Sequence, residues 1–417
     1  GKYAPDLVVN QIWGCNPFGP ATCDLPQNVF TLGMEDLAPI LGEYADTLLT
    51  EDPEDVNALL DSYLFVDYAV MAHYWSPNFL DSDGDGREEA RWQSEDLDGD
   101  HRLDRGEDAD FDGELDEGED RDHDGHLDHD EDENQNGRLD EVNADEGVWK
   151  VDSLTGEGKE SPGWVSVFIT IPKEEDRPVA GEPFPVVIYG HGYTAFNFEV
   201  FGFAGTMARF GFATVAVNCV HHGLGFDAFI MDTVRSIFQT NDMAPAGDAL
   251  VDDRALDPDR DGSKESGGDF WTSYISHTRD VVRQSALDHF EMIRILRSMD
   301  GDRMAGPIDV TGDGRAEARW DYVDWEEDGE DPSENRLVGD YDGDGAVEIA
   351  GDFDADGVQD IGGPDSGYYV WGQSLGGIMS ALMGGLDPAI RAIAPTSGGG
   401  GLSDIAVRDD DGGVRRA

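Results

Sequence analysis

The sequence predicts an α/β protein built on a doubly wound, mostly parallel sheet, and three observations support this fold class. Continuous apolar runs such as "FPVVIYGHG", which begins at Phe184, end in glycine, as buried parallel strands commonly do. Helical patterns alternate with these runs from about residue 147 onward. In "YYVWGQSLGGIMSALMGG" a helix follows a strand directly, with only a tight turn between them.

Residues 1–80 precede this alternation and form a predicted N-terminal helical segment. Helical patterns cover residues 34–49 and 53–74, and the second begins with proline and acidic residues, which is typical of the first turn of a helix. The apolar stretch "ALLDSYLFVDYAVMAHYW" belongs to the second pattern and must pack against another part of the protein.

Residues 147–417 form the predicted core. Its strands are predicted in "GVWKV", "GWVSVFITIP", "FPVVIYGHG", "FATVAVNCVHHG", "YYVWG" and "IRAIAPTSGG". Its helices are predicted in "NFEVFGFAGTMARFG", in "SHTRDVVRQSALDHFEMIRILRSM" and after "GQS". We expect the sheet to be incomplete at its C-terminal side by one or two strands, because the residues after 402 are polar and rich in glycine.

The composition limits the classes of partner. The 417 residues carry a formal net charge of −63, which argues against nucleic acid or an anionic membrane as a partner. The hydrophobic content of 39% is sufficient for one large core with an appendage.

Much of the acidity repeats in steps of twelve residues between Asp96 and Asn143, as "DLDGDHRLDRGE", "DADFDGELDEGE", "DRDHDGHLDHDE" and "DENQNGRLDEVN". Asp or Asn occupies positions 1, 3 and 5, Leu position 8 and Asp position 9, with Gly at position 6 in the last three blocks. This is the ligand pattern of the EF-hand calcium loop, which predicts about four structural Ca²⁺ ions. A disordered acidic tail or a salt-adapted surface would not keep Gly and Leu in this phase.

The four loops follow one another with no room for helices between them. Residues 81–146, which include an earlier loop at Asp81, are therefore predicted to form a tandem calcium array that resembles dockerin and thrombospondin type 3 repeats. Without Ca²⁺ its like charges repel and no apolar core replaces the ions, so we expect metal binding and folding to be one event.

Further calcium loops lie in two predicted insertions into the core, at about residues 252–268 and 300–362. Ligands at position 7 of each loop contribute a main-chain carbonyl, and those at the other positions contribute side-chain oxygens. The candidate ligands are Asp81, Asp83, Asp85, Glu89, Asp96, Asp98, Asp100, Arg102, Asp104, Glu107, Asp108, Asp110, Asp112, Glu114, Asp116, Glu119, Asp120, Asp122, Asp124, His126, Asp128, Glu131, Asp132, Asn134, Asn136, Arg138, Asp140, Asp257, Asp259, Asp261, Glu265, Asp309, Asp313, Glu317, Asp340, Asp342, Asp344, Glu348, Asp352, Asp354, Asp356 and Asp360.

Two of the three cysteines favour a location outside the cytoplasm. Cys15 and Cys23 enclose a short loop with two prolines that a disulfide could close, whereas Cys219 ends an apolar run and is predicted to be a buried free thiol. Together with the calcium loops, the pair predicts a secreted or cell-surface protein. We interpret the start at Gly1 as a processed N-terminus.

The turn "GQSLGG" fits the pattern G-x-S-x-G and places Ser374 between a strand and a helix. Such a turn exposes the serine hydroxyl, and the start of the helix directs main-chain N–H groups and a positive dipole end toward a developing oxyanion. The alternative is a glycine-rich turn with an idle serine.

The second motif is "GHGYTA", from Gly190, after an earlier strand. With these two motifs, residues 147–402 resemble the secreted bacterial lipase and esterase branch of the α/β-hydrolase family. The resemblance implies Ser374 as the nucleophile, with the N–H groups of Leu375 and Tyr193 (or a neighbour) as oxyanion donors. His222 is interpreted as a structural or pocket-rim residue.

The chain departs from this family because all ten histidines precede Ser374, whereas the family's order is serine, acid, histidine. We expect the acid and the histidine to come from a continuation past Ala417 or from a second chain. The predicted function is an extracellular, calcium-stabilised hydrolase of esters or lipid-like substrates. A serine peptidase of the same fold and a non-catalytic, calcium-stiffened surface or filament protein are the alternatives.

The calcium loops lead to a prediction about thermal stability. Ca²⁺ should raise the Tm in a concentration-dependent way, because ions that bind only the folded chain stabilise it by mass action. Thermal unfolding followed by circular dichroism in a calcium series and in EDTA measures this effect. Identical melting curves in the two solutions would contradict the calcium assignment.

Overall fold

The computed structural model describes the chain in several stretches. They are residues 7–14, 29–30, 58, 61–80, 147–149, 155, 158, 160–225, 231–233, 235–236, 254–256, 263–271, 275–299, 301 and 348–399. The predicted array from Asp96 to Asn143 and the predicted helix over residues 34–49 lie outside these stretches.

The described strands form one mixed sheet in the order β2-β1-β3-β4-β6-β5-β7-β8. The bounds are β1 Val8–Gly14, β2 Val29–Phe30, β3 Val66–Asn78, β4 Ser161–Pro172, β5 Val186–Gly190, β6 Ala213–Val217, β7 Tyr368–Gln373 and β8 Ile390–Thr396. Strands β6, β5, β7 and β8 are parallel neighbours, and β4 is antiparallel to both β3 and β6. Because β5, β6 and β7 are parallel, the residues that follow them meet at one edge of the sheet.

Three α-helices whose bounds the described residues give lie between and after the parallel strands, which makes the architecture α/β. They are α1 Phe201–Arg209, α2 Ile275–Ser298 and α3 Leu375–Leu386. Helix α1 follows β5 through a short 3₁₀ turn at Asn197–Val200, α2 comes after β6, and α3 follows β7 directly. The predicted helices from "NFEVFGF", "SHTRD" and "SLGG" are confirmed by these elements.

Strands β5 and β6 lie at the centre of the core, and every residue of both is buried. The apolar continuity of "PVVIYG" and "ATVAV" therefore reflects burial on both faces of the sheet. One core cluster joins residues of these strands to β3, β4, β7, α2 and α3, including Val70, Ile169, Ile188, Val215 and Met292. The strand predictions for "GWVSVFITIP", "FPVVIYG", "FATVAV", "YYVWG" and "IRAIAP" are confirmed.

The helix predicted over residues 53–74 is wrong from Val66 onward, where the chain forms β3. This strand pairs with β1 on one side and with β4 on the other, and ten of its thirteen residues are buried. A strand that is buried on both faces has no polar face, so its apolar pattern resembles that of a buried helix. The described parts of residues 1–80 thus contribute strands to the sheet of the core.

Strands β3 and β4 are antiparallel neighbours, and the predicted calcium array lies between them in the sequence. The last residue of β3, Asn78, pairs with the first residue of β4, Ser161. The chain therefore leaves the sheet after Asn78 and enters it again at Ser161, at neighbouring positions. Contacts continue beyond the pairing, because the rings of Phe79 and Trp149 lie 4.8 Å apart and the N–H of Phe79 donates to Gln284 on α2.

Three glycines bring the main chain of α3 against the main chains of β5 and β7. A Cβ at Gly376 would overlap the carbonyl oxygen of Gly190, and one at Gly190 would lie 2.8 Å from the Cα of Gly376. A Cβ at Gly372 would overlap the carbonyl group of Gly376. The N–H of Gly376 donates to the carbonyl of His191 over 2.8 Å. Any larger residue at these positions would push the helix away from the sheet.

This contact predicts opposite effects of two Gly→Ala substitutions in α3. Gly376→Ala should lower the free energy of unfolding by about 2 kcal/mol or more, because overpacking costs about 1–3 kcal/mol and the clash here is with main chain. Gly385→Ala should raise it by about 0.5–1 kcal/mol, since the site has nothing within 4 Å and alanine favours the helix. Urea unfolding in saturating Ca²⁺ measures both, and equal effects would contradict the packing described.

Candidate functional site

Ser374 occupies the turn between β7 and α3 in a backbone conformation that serine rarely adopts. Its φ is 52° and its ψ is −111°, and a positive φ is uncommon for any residue with a Cβ. The main chain is fixed on both sides, because its N–H donates to the carbonyl of Thr396 over 2.9 Å and its carbonyl accepts from Ile378. Gln373 and Ser374 are exposed whereas Gly372 and Leu375 are buried. The turn thus presents the serine to solvent at the carboxyl end of β7.

The loop after β5, residues 191–193, lies beside this turn. The bond from the N–H of Gly376 to the carbonyl of His191 joins the two segments. The N–H of Gly192 donates over 2.8 Å to the carboxylate of Glu199 in the following 3₁₀ turn, so this N–H is already used. Tyr193 follows, and its ring contacts His222 and Trp271. The structure therefore brings the segments that contain the predicted oxyanion donors, Tyr193 and Leu375, next to each other.

The six described histidines are buried, and none is more than 4% exposed. His191 shows how such a ring is held: one ring nitrogen lies 2.8 Å from the carbonyl of Gly192, and the other accepts from the N–H of Cys219. Burial, as the largest cause, lowers the pKa of His191 to about 4. One ring nitrogen of His222, Nδ1, lies 2.9 Å from the carbonyl oxygen of Val220. No hydrogen bond joins any of these described rings to the hydroxyl of Ser374.

A second group of side chains, residues 352–360, is the predicted calcium loop that lies wholly within the described chain. The carboxylates of Asp352, Asp354 and Asp356 converge, with one oxygen of each within 4.8 Å of the others. The N–H of Gly357 donates to Asp352 over 2.9 Å, and Gly357 has a φ of 86° at the position where the loop needs glycine. The three carboxylates stand at loop positions 1, 3 and 5, as the sequence predicts.

Like charge and burial make these carboxylates costly to ionise without a cation. Burial first, and then the neighbouring charges of Asp354 and Asp356, raise the pKa of Asp352 to about 7. The pKa values of Asp354 and of Asp67 on β3 are raised for the same two reasons. A divalent cation among the three loop carboxylates would offset this repulsion.

Asp360, at loop position 9, is turned toward the sheet and is not part of this convergence. Its carboxylate accepts hydrogen bonds from the hydroxyl of Tyr68 and from the N–H of Phe353. Its carbonyl accepts from Phe184, next to the start of β5. These bonds place the loop at the edge where the parallel strands begin. Strand β7 separates it from Ser374 by about 17 Å at ~3.3 Å per residue.

The other predicted ligands are only partly described. Glu265 forms an antiparallel bridge with Leu256, which closes the stem of the loop that begins at Asp257. Glu348, just before the Asp352 loop, is buried. The remaining predicted ligands, and Cys15 and Cys23, lie outside the described residues. Cys219 is a buried free thiol, as predicted.

Asp269 was not predicted as a site residue, yet it lies between the buried rings of His221 and His277. The three residues are 48 and 8 positions apart, which corresponds to no recognised ligand spacing. The one available signal was the pair His221-His222 after a strand end, in "NCVHHG".

No known protein family matches the chain, and no curated protein is similar to it. Among the described helices, none is both long and apolar enough to cross a membrane.

The Asp352 loop leads to a prediction with opposite signs in two solutions. In EDTA, Asp352→Asn should raise the free energy of unfolding by at least about 0.5 kcal/mol, because one like charge is removed and the amide oxygen still accepts from Gly357. In excess Ca²⁺ the ion should stabilise this variant less than it stabilises the parent, because the variant should bind Ca²⁺ about tenfold more weakly at this loop. Asp365→Asn, at an exposed position, serves as the control. A variant that gains as much from Ca²⁺ as the parent would argue against this loop as a calcium site.

Proposed function

We propose that the chain is a calcium-stabilised serine hydrolase of the α/β-hydrolase type that cleaves carboxylic esters through an acyl-enzyme at Ser374. The observation that carries the proposal is the backbone of Ser374, held at a φ of 52° and exposed between a parallel strand and a helix. Two features support it: the strand order from β3 to β8 resembles that of this family, and the loop after β5 contacts the serine turn.

In the proposed reaction, the hydroxyl oxygen of Ser374 attacks the carbonyl carbon of the ester and loses its proton to a general base. The carbonyl oxygen becomes an oxyanion, for which the N–H groups of Leu375 and Tyr193 are the proposed donors. The oxyanion then collapses, the ester C–O bond breaks, and the alcohol leaves with the proton. Water adds to the acyl-enzyme by the same steps, which releases the carboxylic acid and restores Ser374.

The general base is assigned to a histidine outside the described residues. The described histidines are buried and bonded to other groups, whereas Ser374 is exposed. A serine hydroxyl without a base is a weak nucleophile at neutral pH. In the family that the chain resembles, the acid and the histidine follow the serine, whereas all ten histidines of this chain precede Ser374. We therefore propose that a continuation past Ala417, or a second chain, contributes them.

Calcium has a structural part in this proposal. Asp352, Asp354 and Asp356 would hold one ion at the edge of the sheet opposite to Ser374, and the ion would neutralise their charges there. The proposed ions of residues 81–146 would order the insertion between β3 and β4. A secreted or cell-surface location fits calcium sites of this kind.

A fluorophosphonate probe tests the proposal, since it labels only a serine that is activated for nucleophilic attack. With the full natural protein in Ca²⁺, we expect labelling that Ser374→Ala abolishes and that Ser298→Ala, at an exposed serine near the end of α2, leaves unchanged. Ester and peptide substrates, tested in parallel, separate an esterase from a serine peptidase. Absence of labelling in the complete, folded protein would favour the non-catalytic scaffold.

A further inference from the structure

Three buried side chains converge close to the carboxyl end of β6. His221 follows that strand, Asp269 lies in the segment before α2, and His277 is the third residue of α2. All three are 1% exposed or less, and one donor atom of each lies within 4.8 Å of the others. We call these residues the His–Asp–His group.

The distances between the donor atoms fit a small metal ion. Asp269 Oδ2 lies 3.0 Å from His277 Nε2 and 3.8 Å from His221 Nδ1. Ligands on a tetrahedral zinc ion, with bonds of ~2.0–2.1 Å, are about 3.3 Å apart, which falls between these two distances. The main-chain oxygen of Asp269 lies on the same side, 3.0 Å from His277 Nε2 and 3.4 Å from His221 Nδ1.

The hydrogen bond of the other ring nitrogen of His277, Nδ1, supports metal binding by this group. His277 Nδ1 lies 2.5 Å from the carbonyl oxygen of Gly147, and a carbonyl can only accept, so this nitrogen carries a hydrogen. The lone pair of a neutral ring is then on Nε2, which faces the donor atoms of Asp269. Histidines that bind a metal usually donate their other N–H to a carbonyl or carboxylate in this way.

The donor atoms of the His–Asp–His group argue against calcium, the ion that the acidic loops would bind. Calcium takes six to eight oxygens and avoids imidazole, whereas two imidazole nitrogens and a carboxylate suit zinc and other late first-row divalent ions. His221 has a φ of 57°, and residues with a strained backbone of this kind cluster at functional sites.

We propose that the His–Asp–His group binds one divalent transition-metal ion, of which zinc fits best. The ion would hold residues 263–271 against the segment that follows β6, where the N–H of Gly267 already donates to the carbonyl of His221. The ring of Phe270 packs on His222, and His222 packs on His191, whose carbonyl accepts from Gly376. The site would thus stiffen the layer beneath the Ser374 turn. The proposed metal site does not depend on Ser374 being a nucleophile.

Cobalt(II) in place of zinc tests this proposal on the full chain, without an affinity tag and with Ca²⁺ in excess. One equivalent should give the intense visible absorption of a four-coordinate site, which an all-oxygen calcium loop does not give, and one equivalent of Zn²⁺ should remove it. Zn²⁺ should also raise the Tm. Absence of the absorption in the unmodified protein overturns the proposal.

Variants assign the absorption to these residues. His277→Gln and Asp269→Asn should each weaken Zn²⁺ binding at least 100-fold, since the loss of an outer partner alone costs about 10–100-fold. Asp352→Asn should not change it. A variant with H101Q, H123Q, H126Q and H129Q removes the four histidines of the acidic array and should keep the absorption. Loss of the absorption in that variant, or its survival in His277→Gln, overturns the proposal.

X-ray absorption on the zinc-loaded H101Q, H123Q, H126Q and H129Q variant gives an answer that does not require the two site variants to fold. A shell with two imidazole nitrogens and oxygens at about 2.0–2.2 Å supports the proposal. A shell of oxygens alone overturns it and leaves the three residues as a buried hydrogen-bonded group.

Discussion

Direct contact between main chains at three glycines determines how the carboxyl edge of this sheet is arranged. Gly190, Gly372 and Gly376 let β5, β7 and the first turn of α3 approach without intervening side chains. The sharp turn at Ser374 depends on this approach, because the helix must begin as soon as the strand ends. The loop after β5 is fixed by the same contact through His191. The chemistry proposed for Ser374 therefore rests on the absence of three Cβ atoms.

The two edges of the sheet carry different kinds of polar group. At the edge where the parallel strands begin, the Asp352 loop contributes carboxylates that favour a hard cation. Asp360 of the same loop accepts hydrogen bonds from Tyr68 and Phe353. At the opposite edge lie Ser374 and the buried His–Asp–His group, whose nitrogens favour a softer ion. The strands between them keep the two sets of ligands apart, so the two metals would not compete for one site.

The parallel strands, the helices after them and the serine turn could be predicted because each is a local pattern of apolar, glycine and capping residues. Positions 1, 3, 5 and 6 of the Asp352 loop were predicted for the same reason. Strand β3 could not, because its second face is covered by partners that are distant in sequence, such as β1 and β4. Asp269 and Asp360 also depend on tertiary contacts. Asp269 lies between His221, which is 48 positions away, and His277, and Asp360 turns away from its loop toward Tyr68.

The pairing of Asn78 with Ser161 has a consequence for how such a protein can change over evolutionary time. The register of β3 and β4 is set by pairs on either side of residues 79–160, so repeats can be gained or lost between the two strands while the register stays the same. The entropy of closing a loop rises slowly with length, by about 0.6 kcal/mol for each doubling. Duplication of a twelve-residue unit at this point would therefore alter the reach and charge of the molecule and leave the hydrophobic core as it is.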